Sequence, residues 1–583
     1  MIFRGMTTRF VVRWTSQCLI AFILTTLVLM VIIRWSSDDG PLHDAVARRK
    51  AELLNEMRAE RLRELQATIF LHPDRPPDST YNINVSLSER TPLEREVNDT
   101  RPKACLDVRY DPTHDLTTTV IIPFYNEALS MLLRTVHSIL RHTPDSLLEE
   151  IIIIDDHSPN HDLKEPLERY VKFLPKVKLL RTKKREGLIR VRLIGARLAK
   201  GKVLMFQDAH TENNVGWLEP MLEEIRKNPQ TVIQPHVDEV DPTTINYQAS
   251  GNHVPRGGFS WDLRYVWMQM PTHEKRRLKS EADAHRSPTL VGCAIAVRKD
   301  YFHHIGGFDD AMNVWGGENI ELAFRTWMCG GQVLTHPCSR VAHTFKPFAY
   351  SFDGDREKIV QKNLMRIAEL WMDEWKDFFY ASTWNWPSKR TSFDARDMAS
   401  LERRRALKRK LKCAGFDWYM RTIVPEIPTP PRDATFYGEV TNLKTEACLY
   451  EMDDGFVGIT YMCFFHRVLP ENLFFIDTRH RLVHRGRCVK VDMSTFLIRL
   501  VDCDREADSW TWSVDKTYPV EGSIKATTTT EKGEREEFCL TQVTNINKVH
   551  YREQMPQLIP CGGEFQAWRF QYMFMFDHKF PLG

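Results

Sequence analysis

From Thr117 onward, short apolar runs alternate with longer stretches whose apolar positions recur every three or four residues, and that alternation restricts the chain to a layered α/β sheet with parallel strands. Val120-Ile-Ile-Pro123 reads as a first strand, and Leu129, Leu132, Leu133, Val136, Ile139 and Leu140 share one face of a helix over 127–140. Glu150 to Asp155 is a second strand, Leu179-Leu180 a third, followed by a helix through Leu198, and Val203 to Phe206 a fourth. Trp217, Leu218, Met221, Leu222 and Ile225 then face inward from the next helix. In open sheets of this kind ligands sit outside the carboxyl ends of the strands, where Asp156, Arg185 and Asp208 fall.

The fourth strand ends in Asp208-Ala-His210, and residues two apart on an extended backbone point to the same side. A carboxylate and an imidazole so placed suit a divalent ion with mixed O and N ligands, Mn2+ ahead of Zn2+ or Mg2+. The same spacing also arises where a strand-end Asp caps a turn beside a surface His. Asp156 offers an acceptor to uracil or ribose and Arg185 a guanidinium to a diphosphate; each alone is equally a helix cap or a solvated charge, and their convergence at one sheet edge favours a nucleotide site. Further along, Gly257-Gly-Phe-Ser-Trp261 and Val314-Trp-Gly-Gly-Glu-Asn319 set aromatic rings on glycine hinges. In the second, Trp315 can pack on a sugar face while Glu318 and Asn319 hold hydroxyls, although a Gly-Gly turn opening a helix from Ile320 to Met328 reads the same way. His343 is a candidate third metal ligand from a distant segment.

Outside this region, Trp14 to Ile33 carries no charge, and twenty helical residues reach about 30 Å, the thickness of a bilayer core. Arg4, Arg9 and Arg13 precede it and Asp38 and Asp39 follow Arg34, which places the N-terminus in the cytosol. The run exceeds a signal-peptide h-region and no A-x-A-like site follows, so an uncleaved anchor is expected rather than a cleaved leader. Everything beyond Trp35 is then lumenal or extracellular, where cysteines pair. A polar stretch over 36–103, with an Arg/Glu-rich helical pattern over 45–66, reads as a stem bearing the glycosylation acceptors Asn84-Val-Ser86 and Asn98-Asp-Thr100. The formal net charge of +3 over 583 residues gives no footprint for nucleic acid.

Taken together the motifs resemble those of the polypeptide N-acetylgalactosaminyltransferases, the family that starts mucin-type O-glycosylation in the Golgi. The matching stretches are Phe124-Tyr-Asn-Glu-Ala128, Leu132-Leu-Arg-Thr-Val-His-Ser138, Lys184-Arg-Glu-Gly-Leu-Ile-Arg190, Asp208-Ala-His210, Val314-Trp-Gly-Gly-Glu-Asn319, Trp327-Met-Cys-Gly-Gly331, Pro337-Cys-Ser-Arg-Val-Ala-His343 and Trp371-Met-Asp-Glu374. The resemblance implies a glycosyltransferase A-type domain over 104–430, with Mn2+ on Asp208, His210 and His343 and UDP-GalNAc as donor. It implies nucleotide contacts from Asp156 and Arg185, sugar contacts from Trp315, Glu318 and Asn319, and a loop from Lys346 to Asp353 that closes over UDP, with Tyr350 covering the nucleotide. The reaction implied is transfer of GalNAc to Ser or Thr of a polypeptide with retention, the leaving β-phosphate accepting the acceptor proton. The expected topology is a single-pass type II Golgi membrane protein: tail 1–13, anchor 14–33, stem 34–103.

Three departures from the family pattern stand out. Gly292-Cys293 replaces Gly-Gly beside the sugar pocket, so a thiol crowds the space for the N-acetyl group. Lys346 replaces an Arg that contacts phosphate, which keeps the charge and loses the bidentate fork. Ala209-His-Thr-Glu212 replaces Ser-His-Cys-Glu. None removes a metal ligand; a catalytically weak or inactive paralogue that binds peptide or glycopeptide is the alternative that Cys293, with the eroded trefoil that follows, keeps open.

After Phe436 short strands and cysteine pairs take over, and Cys448/Cys463, Cys488/Cys503 and Cys539/Cys561 mark three units. This resembles a ricin-type β-trefoil lectin domain over 436–583, whose third unit keeps the Q-x-W signature at Gln566-Ala-Trp568. Sugar-binding trefoils carry an Asp two residues after the first cysteine; Tyr450, Lys490 and Thr541 stand there, so a structural trefoil is expected over a glycan-binding one. The family resemblance further implies pairing of Cys105 with Cys338 and of Cys329 with Cys413, leaving Cys18 in the membrane and Cys293 free.

Overall fold

Parallel strands need their edges shifted only by crossover helices, and the first four apolar runs stack in that way in the computed structural model. It describes residues 80–573 together with parts of 49–70; outside the description lie 1–48, 50–55, 58–59, 67, 71–79, 111–114, 252–255, 347–351, 353, 384–391, 428–433, 453–454, 461–471, 493–494, 504–510, 519–520, 530–533, 543–554 and 574–583. The expected membrane span, Tyr350 and Cys463 therefore lie outside the described residues. Among the described residues no helix is long and apolar enough to cross a membrane.

The chain divides into two units. One comprises 1–75 with 166–175; its described residues between 56 and 70 are mostly helical, and Gln66 donates from Nε2 to the Tyr170 hydroxyl at 2.9 Å. The other comprises 76–165 and 176–583 and holds two large sheets.

In the first sheet, β1 (Thr118–Phe124) lies parallel between β2 (Leu148–Asp155) and β4 (Val203–Gln207), with β3 (Val177–Arg181) beyond β2. The order reverses between β1 and β4, which is where a crevice opens at the strand ends. Beyond β4 the sheet departs from the all-parallel expectation. β11 (Ala294–Arg298) inserts antiparallel between β4 and β6 (Thr231–Val240), and β12 (Gln332–His343) runs parallel to β6. Short β5 (Thr211–Asn213) pairs antiparallel with the end of β12, β7 (Tyr247–Gln248) with β6, and β10 (His285–Arg286) with β12, while β8 (Arg256–Phe259) and β9 (Tyr265–Met268) form a separate hairpin. A buried strand reads as a continuous apolar run whichever way it runs, so periodicity carried no sign of this reversal.

Residues 80–102, expected as stem, are ordered against this sheet. The short helix α1 (Val85–Arg90) packs on α2 (Leu129–His142), where Ser88 and Ser130 share a 2.7 Å hydrogen bond and Arg134 donates to the Ser88 and Thr91 carbonyls. Farther on, Arg95 forms a two-pronged bridge to Glu212 at 2.7 and 2.8 Å. Because the sheet covers one face of α2 and this strap another, Arg134, Thr135 and His137 are buried along with the predicted apolar stripe.

Asn84 caps α1, its side chain accepting from the Leu87 N–H, whereas Asn98 is exposed. Disulfides join Cys105 to Cys338, Cys329 to Cys413, Cys488 to Cys503 and Cys539 to Cys561, and among the described residues Cys293 is free. The second sheet, twelve-stranded among the described residues, runs from Ala434 to Met573 as an all-β domain around Phe474, Trp512, Leu540, Trp568 and Phe570.

Three histidines are buried on adjoining strands of the first sheet: His236 on β6, His285 on β10 and His336 on β12. Burial depresses all three, His285 to about 4 and His336 to about 3, against an ordinary value of 6.5. Between pH 6.5 and about 4 the unfolded chain therefore binds protons that the folded chain does not, and stability falls as pH drops through that window. Each such histidine contributes a slope of about 1.4 kcal/mol per pH unit. Urea unfolding of His336→Asn, which keeps an acceptor for the Cys338 N–H, is expected to show a slope shallower by about that amount than the unmodified chain.

Candidate active site

The end of β4 and the end of β12 meet through β5. Its antiparallel pairing sets Thr211 opposite His343, and the Thr344 N–H donates to the His210 carbonyl at 3.1 Å. Asp208, His210 and His343 consequently offer ligand atoms all within 4.8 Å of one another, Asp208 Oδ2 standing 3.4 Å from His343 Nε2. One carboxylate oxygen and two imidazole nitrogens form a donor set that Mn2+ accepts. The protonation states fit as well. Burial opposes ionisation of Asp208, but its contacts with His343 and Arg192 hold its carboxyl below the ordinary range, while burial lowers His343 and leaves it neutral.

Antiparallel β11 delivers the next pieces. Continuing from the Ala294–Gln207 pair, the Asp208 N–H donates to the Cys293 carbonyl at 2.9 Å, so Gly292 and Cys293 lie beside the candidate metal ligands. Gly292 has φ +97, and the Asn319 amide, held to the Leu290 carbonyl at 2.6 Å, packs against it. Burial raises the Cys293 thiol, the Asp208 charge adds to this, and the group stays protonated. Glu318 opens the helix α3 (Glu318–Met328), two residues earlier than the expected Ile320. One of its oxygens accepts from the Gly316 N–H at 2.9 Å. Burial raises its carboxyl, partly offset by Arg192.

Arg192 was not among the residues singled out from the sequence. Its guanidinium is 1% exposed and donates to Asp208 Oδ1 at 2.9 Å and to the Gly292 carbonyl at 2.8 Å, with Glu318 Oε1 at 3.5 Å. A signal for it existed: Leu188, Arg192, Gly195 and Ala196 follow the i, i+4, i+7, i+8 pattern of a core-facing stripe, and all four are buried in the helix Leu188–Leu198. An arginine in that stripe needs buried anions. Glu127, inside a matched motif but given no role, is the other residue missed. Its carboxylate takes the His210 Nδ1–H at 2.7 Å and the Lys346 ammonium at 2.7 Å. Burial alone would raise it, and Lys346 and His210 more than offset that, holding it at about 2.

A cavity of about 620 Å³ brings together Asp208, His210, His343, Lys346, Gly292 and Cys293 with Trp315, Glu318 and Asn319, a size suited to a small organic ligand. Asp156 and Arg185 do not line it. Arg185 stacks over the Tyr125 ring at 3.5 Å and bonds Asp156 at 2.7 Å, while the Asp156 carboxylate also accepts from the Glu186 and Gly187 N–H groups at 2.7 and 2.8 Å. The expected nucleotide contacts are thus engaged with each other in this conformation.

Gly187 joins that edge to the Trp315 loop. At φ +88 it bridges Val314, itself at φ +55, and a Cβ added there would stand 2.5 Å from the Val314 Cα. Gly187→Ala is expected to cost about 2 kcal/mol or more in unfolding free energy and to lower transfer by displacing the Trp315 loop, measured by thermal melts beside kcat/KM.

A mixed sheet with a crevice at the β1/β4 switch point, an Asp-x-His pair at its edge and a third side chain from β12 able to join them on a metal defines a glycosyltransferase A-type enzyme. A family model described as "Glycosyl transferase family 2" matches residues 119–306, and one described as "N-terminal domain of galactosyltransferase" matches 277–347. The chain is 38% identical over 424 residues to mouse polypeptide N-acetylgalactosaminyltransferase 12, covering 71% of each chain, and 34% identical over 505 residues to mouse polypeptide N-acetylgalactosaminyltransferase 6, covering 84% of this chain and 77% of that one. With mouse polypeptide N-acetylgalactosaminyltransferase 4 it is 42% identical over 380 residues, 64% of this chain and 63% of that protein. A crystal structure of GalNAc-T7 with UDP, GalNAc and Mn2+ superposes with a TM-score of 0.57 at 29% identity, covering 85% of this chain and 88% of that one. The chain belongs to the polypeptide N-acetylgalactosaminyltransferase family.

Proposed function

We propose that this chain transfers GalNAc from UDP-GalNAc to Ser or Thr hydroxyls of polypeptides, with retention and with Mn2+ held by Asp208, His210 and His343. The observation that carries this reading is the convergence of three metal-competent side chains with Trp315, Glu318 and Asn319 on one cavity, in a chain of this family. When bound, Mn2+ supplies a Lewis acid that stabilises negative charge on the departing diphosphate. Lys346 adds a second positive charge at the same wall. Asn319 holds the sugar, with Trp315 against its face and Glu318 in the cavity wall behind them. Glu318 is not placed to act as a covalent nucleophile, since Gly316 and Arg192 engage its two oxygens and its side chain is 4% exposed. The acceptor hydroxyl therefore attacks from the face the diphosphate leaves: the new C1–O bond forms as the C1–phosphate oxygen bond breaks, and the hydroxyl proton passes to the β-phosphate. Opening of the Arg185–Asp156 pair frees both groups for the nucleotide.

An intact ligand set argues against the binding-only alternative. Four disulfides support a lumenal location, and with the uncharged 14–33 segment they fit a type II Golgi protein with a stem, a catalytic domain over 104–430 and a trefoil over 436–583. We read the all-β domain as a ricin-type β-trefoil whose third unit is structural, because Thr541 is buried and its hydroxyl is bonded to the Cys539 carbonyl and Gln566. The test is transfer to a Ser/Thr peptide by the full chain, with Mn2+ and with EDTA. Tight peptide binding without metal-dependent transfer would reject the reading.

A further inference from the structure

Of the two imidazoles at the metal site, His210 is braced, its Nδ1 lying 2.7 Å from Glu127 Oε2, whereas His343 Nδ1 is buried with no hydrogen-bond partner among the described residues. An ionised carboxylate only accepts hydrogen bonds, so the His210 proton sits on Nδ1 and Nε2 is the nitrogen left bare. The second Glu127 oxygen is fixed by Lys346 at 2.7 Å, and the side chain is only 7% exposed, which leaves it little freedom to turn away. Glu127 itself follows β1, the strand beside β4, so the brace and the ligand it braces arrive on adjacent strands of the rigid sheet.

We propose that Glu127 is a positioning residue of the metal centre: it fixes the tautomer and ring orientation of His210 so that Nε2 is presented as the ligand atom. This rests on the reading of Asp208, His210 and His343 as metal ligands. A carboxylate behind a ligating histidine sets the ring and raises its basicity, and losing such a partner weakens metal affinity about 10–100-fold. Glu127 does not touch the metal or the donor in this role. Glutamine at 127 still offers a carbonyl to the Nδ1–H, whereas alanine offers nothing.

The test is titration of the full chain with Mn2+ alone, the free ion followed by electron paramagnetic resonance, on the unmodified protein and on Glu127→Ala, Glu127→Gln and Asp208→Asn, with a thermal melt of each. Glu127→Ala is expected to weaken Mn2+ binding about 10–100-fold and, because Lys346 loses its buried partner, to lower the thermal midpoint, whereas Glu127→Gln is expected to recover part of the lost binding. Binding by Glu127→Ala equal to the unmodified chain, while Asp208→Asn fails to bind, overturns the assignment and leaves the metal site standing. Equal loss in both Glu127 variants with lowered midpoints also overturns it, because the residue then acts through packing. No Mn2+ binding by the unmodified chain overturns the metal reading and this assignment together.

Discussion

Asp208→Asn is expected to reduce metal-dependent transfer by roughly three orders of magnitude, the equivalent of about 4 kcal/mol of transition-state stabilisation. The fold should survive. Asparagine keeps the size of the side chain, and Arg192 retains Glu318 and the Gly292 carbonyl as partners. The backbone bond from residue 208 to the Cys293 carbonyl is untouched by the change. EDTA applied to the unmodified chain should reproduce the loss, and added Mn2+ should reverse it in the unmodified chain but not in the variant. Transfer rates with and without Mn2+, read beside a thermal melt, check this; full activity in Asp208→Asn would remove Asp208 from the ligand set.

Arg192→Met should act on stability first. The substitution keeps an unbranched apolar stem but leaves Asp208 and Glu318 facing each other's charge with no buried cation, and breaking a buried pair from one side costs about 3–5 kcal/mol. On a marginally stable domain that is enough to reduce the yield of folded protein sharply. The double variant Arg192→Met/Glu318→Gln separates charge from packing, because it removes one of the stranded carboxylates. Partial recovery of the thermal midpoint in the double variant is expected; no recovery would mean that Arg192 matters through its contact with the Phe308 ring and its neighbours rather than through its charge.

Residue patterns carried much of this. The strands before Asp156 and Asp208 and the helices between them follow from apolar spacing, because a strand buried on both faces has no polar positions and a helix on a sheet must keep one stripe apolar. Helix boundaries moved by a residue or two, as at Glu318, where Gly317 at φ +87 ends the turn before the helix. Burial of Arg134 and His137 ran against the pattern, since it depends on the strap from 80–102 lying over α2.

What the sequence by itself determined was the list of chemically able side chains and their order along the strands: Asp208 and His210 on one side of an extended segment, Trp315, Glu318 and Asn319 on one Gly-hinged turn. Which of them meet was decided by tertiary structure. The antiparallel insertion of β11 puts Gly292 and Cys293 beside Asp208, and the β5–β12 pairing carries His343 across from Thr211. Strand direction and pairing leave no periodic trace in a sequence, because they are set by which edges can close their hydrogen bonds once the core has packed. The same holds for Arg192 and Glu127. Each is an isolated charge in an apolar context, and only the folded chain shows the opposite charges that let it be buried there.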